Sequence, residues 1–344
     1  MPPVSLAEIA KAAGVSRMTA SRALRDRREV APSTRAAVKA AAAGLGWRPN
    51  PEVGRLMAAL RRETTREASQ TLGLVWPDAT PQLVAARPSL RRLRDGVTAR
   101  AHALGFGVDE FFLSRGNLTA RRLQRVLAAR GIEGLIMAPV SFRAHGHAAI
   151  AWDRYAAVVI GAGFVGPRLN RVHHHHFAGV RLALREMRHR GFRRIGLLTD
   201  PVTSSRLDRV TESAFLMHHP LGARHALPLL CRIDDWSEKR LSIWLKKTEP
   251  EVVLCEMADP DWVRSVPGGE GVGYCTLNWV PEHPSTTGIN QRFDAIGAAA
   301  VDDVAAQLVR GSRGVPDSPK TILTAPIWVP GATLARRARS AERD

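Results

Sequence analysis

Cysteine is scarce in this chain. The three present in 344 residues, Cys231, Cys255 and Cys275, stand far apart, with no C-x-x-C pair. That spacing excludes a disulfide framework and offers no zinc-ribbon pattern. Long apolar runs are missing too: none approaches the ~20 residues needed to span a bilayer. The N-terminus shows no apolar signal segment. The expectation is a cytoplasmic protein with no membrane partner. Catalytic signatures are also wanting. No G-x-S-x-G, H-E-x-x-H, Walker motif or close carboxylate pair stands out, so the chain is not expected to be an enzyme or to need a cofactor.

Acidic residues are outnumbered: 32 Asp and Glu face 50 Lys and Arg, a formal net charge of +18. Residues 1–68 hold 13 of the bases and 6 of the acids, a net +7, and the remaining 276 residues carry the other +11. Positive charge is therefore densest at the N-terminus. A face that meets a phosphate backbone requires such a density.

What is present begins in that basic stretch. Ser5-Leu6-Ala7-Glu8 has the form of a capping box, in which Ser5 and Glu8 satisfy orphan N–H groups of a first helical turn. Leu6, Ile9, Ala10 and Ala13 recur at helical spacing, and Gly14 suits the left-handed residue that ends a helix. Ser16 can cap a second helix a few residues on. Two short helices joined by a tight glycine turn make a helix-turn-helix. Ala20, Ala23 and Leu24 form a small apolar face on the second helix. Met18, Ser21, Arg22 and Arg25 share the other face, with Arg17 at its start. That face is narrow and cationic enough to enter a DNA major groove. Arg17 and Arg22 can each bind a guanine in bidentate fashion, while Ser16, Thr19 and Ser21 are short hydroxyls suited to phosphates. A third helix is expected from about Pro32 to Leu45, with Val38, Ala41, Ala42 and Leu45 inward. Asn50 and Pro51 then open a short helix in which Val53, Leu56, Met57 and Leu60 share a face.

The order of these residues resembles the DNA-binding headpiece of the lactose/galactose repressor (LacI/GalR) family. The matching motifs are A-x-x-A-G-V-S at Ala10–Ser16, T-x-S-R at Thr19–Arg22, Val30, Thr34-Arg35 and Arg48-Pro49-Asn50. The resemblance implies DNA-contacting roles for Ser5, Ser16, Arg17, Met18, Thr19, Ser21, Arg22, Arg25, Asn50 and Val53. It also implies that Leu56 wedges into the minor groove where two hinge helices meet, kinking the duplex. Two departures are Gly54 inside that hinge helix and Ala31, where the family usually has a capping Ser or Thr.

Residues 61–70 are polar and read as a linker. Beyond them, short apolar runs alternate with helical segments to about residue 335. Strands are expected at 71–76, 108–113, 134–138, 156–160, 194–199, 226–230, 252–255 and 271–275. Helices are expected at 88–104, 119–130, 177–190, 205–217, 237–247 and 293–310. Such alternation argues for parallel sheets covered on both faces, and its length argues for two lobes. The fold expected is α/β: a lambda-repressor-like headpiece at 1–60 plus a doubly wound body. The order of elements resembles the family's effector-binding body, built like a periplasmic sugar-binding protein with three crossings between lobes. Those crossings are expected near 161–166, 286–292 and 324–329. Lobe 1 is thus expected at about 71–162 and 292–324, and lobe 2 at about 163–291 and 325–335.

Ligands of doubly wound folds bind beyond the carboxyl ends of the strands. Trp76, Asp78, Phe112, Ser141, Asn278 and Trp279 therefore become candidates for effector contact. The resemblance adds Arg209, Gln291, His175 and His176. At the last two positions most members have Asp-Asn, and Cys275 stands where an acid commonly follows Gly-Tyr. The cleft is thus expected to be less acidic than usual; a carbohydrate or related metabolite is the effector expected, with an anionic ligand, an aromatic ligand or no small ligand at all as the alternatives. His173–His176 offers no carboxylate or cysteine to complete a metal site. Gly161–Gly166 matches G-x-G-x-x-G, but Pro167 and a polar segment follow in place of the helix that a dinucleotide needs. The function expected is that of a homodimeric regulator, most simply a repressor, on a pseudo-palindromic double-stranded operator near the nucleoid. A periplasmic-type sugar-binding protein and a doubly wound enzyme are the alternatives.

Overall fold

The structure, a computed structural model, describes residues 4–24, 30–47, 70–113, 119–139, 150–233, 237–256 and 260–334. Arg25, Asn50, Val53, Leu56, Ser141, the expected hinge helix and the linker at 61–69 lie outside the described residues.

Three short helices form the N-terminal unit: α1 (Leu6–Ala12), α2 (Arg17–Leu24) and α3 (Pro32–Gly44). The capping box closes as its sequence requires: the Ser5 N–H donates to Glu8 Oε2 at 2.7 Å and the Glu8 N–H to Ser5 Oγ at 3.3 Å. Ile9, Ala20, Ala23 and Val38 are fully buried between the helices. Two alanines at the contact let α2 pack closely, because a methyl group is all that must be accommodated. Leu45, expected inward, is 41% exposed. It follows the last turn of α3, whose buried residues are Val38 and Ala42. Ala31 caps α3 without a side-chain hydrogen bond.

The body is built on two six-stranded sheets. The first contains β1 (Thr71–Trp76), β2 (Gly107–Phe112), β3 (Gly134–Met137), β4 (Ala156–Ile160), β5 (Asn170–His174) and β11 (Thr321–Thr324), in the order β11-β5-β4-β3-β1-β2, all parallel. Its helices are α4 (Pro81–Ala86), α5 (Pro88–Ala103), α6 (Ala120–Ala129) and the long α13 (Phe293–Arg310). The second sheet contains β6 (Ile195–Thr199), β7 (Leu230–Arg232), β8 (Val252–Cys255), β9 (Gly273–Thr276), β10 (Gly288–Asn290) and β12 (Ile327–Val329). Their order is β12-β10-β9-β8-β6-β7, with only β12 antiparallel. Around them lie α7 (His176–His189), α8 (Pro201–Arg206), α9 (Val210–His218), α10 (Ala223–Ala226), α11 (Glu238–Thr248) and α12 (Pro260–Ser265).

Each lobe has its own core. Leu72, Leu74, Ile136 and Val158 pack with Val301 and Val304 in the first; Val180, Leu197, Phe215 and Leu254 pack together in the second. Among the described residues, no apolar cluster includes residues of both lobes. Helices α5 and α13 approach so closely that two positions must be glycine. A Cβ on Gly96 would lie 2.2 Å from the Asp294 carbonyl oxygen, and one on Gly297 2.4 Å from that of Leu93.

The first interlobe crossing corrects the sequence reading. It falls at His174–His176, between β5 and α7, and not at 161–166. The glycines there only join β4 to β5 within one sheet. Strand β5, Asn-Arg-Val-His-His, is too polar to stand out as a strand, and tertiary contacts decide its place. Its Asn170 amide donates to both oxygens of Asp303 on α13, at 3.1 and 3.0 Å, and Gln307 on the same helix donates to Asp303 Oδ2 at 2.7 Å. The other crossings fall at 291–292 and 325–326, within the expected ranges. Two further boundaries moved. The strand expected at 226–230 is β7 at Leu230–Arg232, because 223–229 is helical. The helix expected at 205–217 is broken, because Asp208 and Arg209 have left-handed φ values of 49° and 55°.

Candidate nucleic-acid interface and interlobe cleft

Helix α2 presents its chemistry outward because its other face is committed to packing. Ala20 and Ala23 are buried; Arg17, Met18 and Arg22 are exposed, Met18 at 62%. Ser16 Oγ accepts the Thr19 N–H at 3.1 Å and lies 2.9 Å from the Thr19 hydroxyl, capping the helix at the end where Arg17 and Met18 sit. Gly14, at φ +66°, makes the turn between α1 and α2. Ser5 and Ser16 are exposed, while Thr19 and Ser21 are half-buried. The arrangement can therefore offer two guanidinium groups, a thioether and several hydroxyls along one ridge, the dimensions of which suit a major groove.

The cleft candidates divide into three places. Trp76 and Phe112, one fully and the other half buried, stack with ring centroids 6.1 Å apart, and Trp76 Nε1 donates to Glu110 Oε2 at 2.8 Å. Trp76 therefore belongs to the core of the first lobe, and its indole N–H already has a partner. Asp78 is half-buried just beyond that strand. His175, His176 and Gln291 sit at the hinge. Asn278 and Trp279 follow β9, and Asn278 lines a cavity of about 820 Å³ between the start of α5 (Arg87, Ser89) and the second lobe (Glu256, Asp261, Arg264, His283). That volume falls within the range of small-molecule sites, roughly 300–1,000 Å³.

Two residues overlooked in the sequence sharpen this cavity. Glu256 directly follows β8, just as Asn278 lies just past β9, so the rule that selected strand ends applies to it equally. Its carboxyl is pushed up to about 7, first by burial and then by Asp200 and Glu212, while Arg206 and the Thr211 hydroxyl pull the other way. Glu256 Oε2, Asn278 Oδ1 and Trp279 Nε1 are buried without hydrogen-bond partners. Buried polar atoms are nearly always satisfied, so these three await a partner of complementary polarity. Arg206 is the second overlooked residue. It acts on both Glu256 and His176. The expected Arg209 is exposed; it caps α9 with its strained backbone and acts on Glu212.

The second lobe is consequently more acidic at its strand ends than expected from His175-His176 and Cys275. Asp200 caps α8, accepting the Thr203 N–H at 2.8 Å. Glu212 is buried; burial alone would raise its pKa, but hydrogen bonds from Arg232 and Ser204 hold it below the usual range. Arg232 Nε donates to Glu212 Oε1 at 2.9 Å. Cys275 is fully buried within the second core. Across the rim, Arg91 of α5 pairs with Glu282 of the second lobe at 2.6 Å. Among the described residues, no group of three or more His, Cys, Asp or Glu side chains is arranged to hold a metal ion, and no helix is long and apolar enough to cross a membrane.

A helix-turn-helix with an exposed cationic ridge, followed by two doubly wound lobes around a cleft, defines a class of fold: a helix-turn-helix unit joined to a periplasmic-binding-protein-like body. Residues 5–50 match the family model described as bacterial regulatory proteins, lacI family, so this stretch is a lacI-family helix-turn-helix domain. The chain is similar to the lactose operon repressor of Escherichia coli (strain K12), at 28% identity over 242 residues, 69% of this chain and 61% of that protein. It thus spans about three-fifths of the length of that curated relative. Among solved structures, the lac repressor dimer bound to operator and the anti-inducer ONPF aligns over 96% of this chain and 99% of that one, with 21% identity and a TM-score of 0.54. A CelR transcriptional regulator in complex with cellobiose gives 96% and 99%, 19% identity and 0.55. A LacI family regulator from Enterococcus faecium with bound ribose gives 78% and 100%, 13% identity and 0.55. At such identities these structures speak for the fold alone.

Proposed function

We propose that this chain is a sequence-specific DNA-binding transcription regulator, a repressor, whose affinity for its operator is set by a small molecule held between the lobes. It is not an enzyme, and it works in the cytoplasm on a pseudo-palindromic site as a homodimer. The observation that carries this reading is the outward face of α2, where Arg17, Met18 and Arg22 are exposed while Ala20 and Ala23 anchor the helix behind them. Two-fold pairing would set two such helices about one DNA turn apart. Arg17 and Arg22 read base edges; Ser5, Ser16, Thr19 and Ser21 fix the register on phosphates.

The effector is a carbohydrate or a related polar metabolite. Supporting this are the relatives solved with cellobiose and ribose and the partnerless Glu256 Oε2, Asn278 Oδ1 and Trp279 Nε1. Two buried acceptors along one cavity suit a ring with several hydroxyl donors. An effector that touches both lobes favours one lobe arrangement over another, and operator and effector affinities then change by the same factor.

Selection of bound genomic fragments, followed by gel shifts at several salt concentrations, tests the reading. The expected result is one enriched inverted repeat, with affinity falling steeply as salt rises. Arg22→Ala should cost about 1–3 kcal/mol, roughly 5- to 150-fold, and relax specificity at one base of each half-site. Equal retention of all fragments by the natural chain would rule the reading out.

A further inference from the structure

The histidine run His173–His176 has no task in the reading above, yet it lies where the lobes are joined. One of the three crossings is His175 itself, and the other two are held against it. The His175 N–H donates to the Thr324 carbonyl at 3.1 Å, next to the third crossing. His174 Nδ1 lies 3.3 Å from the carbonyl oxygen of Gln291, in the second. A carbonyl only accepts, so His174 Nδ1 must carry the proton. The His174 ring also stands edge-on to Phe293, at 4.7 Å, and to His176, at 5.2 Å. A cavity of about 10 Å³ remains between His174, His176, Thr211, Gln291 and Thr324, room for about one water molecule.

We propose that His174 and His176 form an acid-sensitive lock on the interlobe hinge: as neutral rings they hold the three crossings in this arrangement, and protonation shifts the lobes into one where the crossings meet water. The proposal goes beyond the regulator reading and does not rest on it, since it concerns the lobes alone.

Burial and neighbouring cationic groups outweigh the hydrogen bonds that favour a charged ring. His174 is pushed well below its ordinary value by burial and by His176 and His173, against one hydrogen bond to Gln291. His176 is lowered to about 4 by burial, then by His173, Arg206 and His175. From β5 itself comes Arg171, which lowers His173. From α8 comes Arg206, and the α8–α9 joint adds Asp208, which acts on Arg171. Helix α9 contributes the uncharged Thr211, and the third crossing Thr324 and Pro326. On the second crossing, Arg292 and Asp294 flank Phe293 and are exposed. No carboxylate is among the groups that act on His173, His174 or His176.

The direction follows from linkage. A histidine lowered here and ordinary when hydrated binds protons preferentially in the hydrated arrangement. The lock therefore holds above pH ~6.5 and is lost as pH falls toward 4. For His176 alone, moving from pH 7 to pH 5 should favour the hydrated arrangement by about 20-fold. The lobes can respond, because no apolar cluster among the described residues spans them.

The test uses the full chain with exposed Arg121 and Lys239 replaced by cysteine, one in each lobe, and labelled with a donor and acceptor dye. The three native thiols are buried, and Cys231 is pushed up to about 12, so they do not compete for label. Diluting labelled chain into excess unlabelled chain leaves only transfer within one chain. Transfer efficiency should change between pH 7 and pH 5 at constant ionic strength, and the change should vanish in the double variant His174→Phe, His176→Gln. A flat profile in the natural sequence overturns the proposal, as does an unaltered profile in the variant. Should the variant fail to fold, titration of histidine carbons by NMR in the natural chain decides: a His176 pKa near 6.5 overturns the proposal, and one near 4 upholds it.

Discussion

The two lobes share a strand order, apart from the direction of the last edge strand, but finish their strands differently. In the first lobe the ends of β1, β3 and β4 are apolar and closed: Trp76, Met137 and Ile160 are buried, and the single polar side-chain atom of Trp76 is satisfied by Glu110, whereas β11 ends in Thr324, whose hydroxyl is buried without a partner. In the second lobe Asp200, Arg232, Glu256 and Asn278 stand at or just past the strand ends, and two of their acceptor atoms are buried without partners. The second lobe differs in keeping two such acceptors, on Glu256 and Asn278, along one cavity. The contrast teaches that a large aromatic residue at a strand end is no guide to a ligand until its polar atom has been accounted for.

The first lobe should be the more sensitive to substitution at a strand end. Trp76→Ala removes a fully buried ring and leaves Glu110 without its donor, and should cost about 3–5 kcal/mol in urea unfolding. Effector affinity of the folded fraction should stay unchanged. A variant that keeps its stability but loses effector would move Trp76 from the core into the site.

A smaller effect sharpens the second-lobe side. Glu256 has a raised pKa, so it contributes stability that is full below ~4.5 and is lost as pH rises through about 7. Glu256→Gln should remove that loss, making the variant the more stable one at pH 8 by on the order of 1–2 kcal/mol. It should also flatten any pH dependence of effector affinity around pH 7. Parallel unfolding curves for both proteins at pH 5 and pH 8 would contradict the placement of this carboxyl.

The smallest effect lies on the rim between the lobes. Arg91 and Glu282 are each about one-third exposed, and partly exposed pairs contribute roughly 0–1 kcal/mol. Glu282→Gln should leave the unfolding midpoint nearly unmoved. It should shift the lobe equilibrium by no more than about fivefold, read by the same paired dyes.

Much of this was legible beforehand. The capping box at Ser5, the glycine turn at Gly14 and the outward ridge of α2 are local patterns, and local hydrogen bonds and helical periodicity produce them. The apolar strands β1, β4 and β8 begin and end where their runs of branched residues do. Strand β5 was not legible, because its polar residues pair with β4 and β11 and reach Asp303 on a helix more than a hundred residues later. Glu256 and Arg206 were missed because neither belongs to a motif; only their proximity gives them a role.

By itself the sequence determined the headpiece helices, the longer helices of the body, the alternation of strand and helix, and the cationic ridge, since each depends on residues within about a turn of one another. The tertiary structure alone decided which strand ends line the cavity, where the chain first crosses between lobes, and that the histidines meet at the crossings. Those outcomes are set by pairings between distant segments, and no local spacing encodes them.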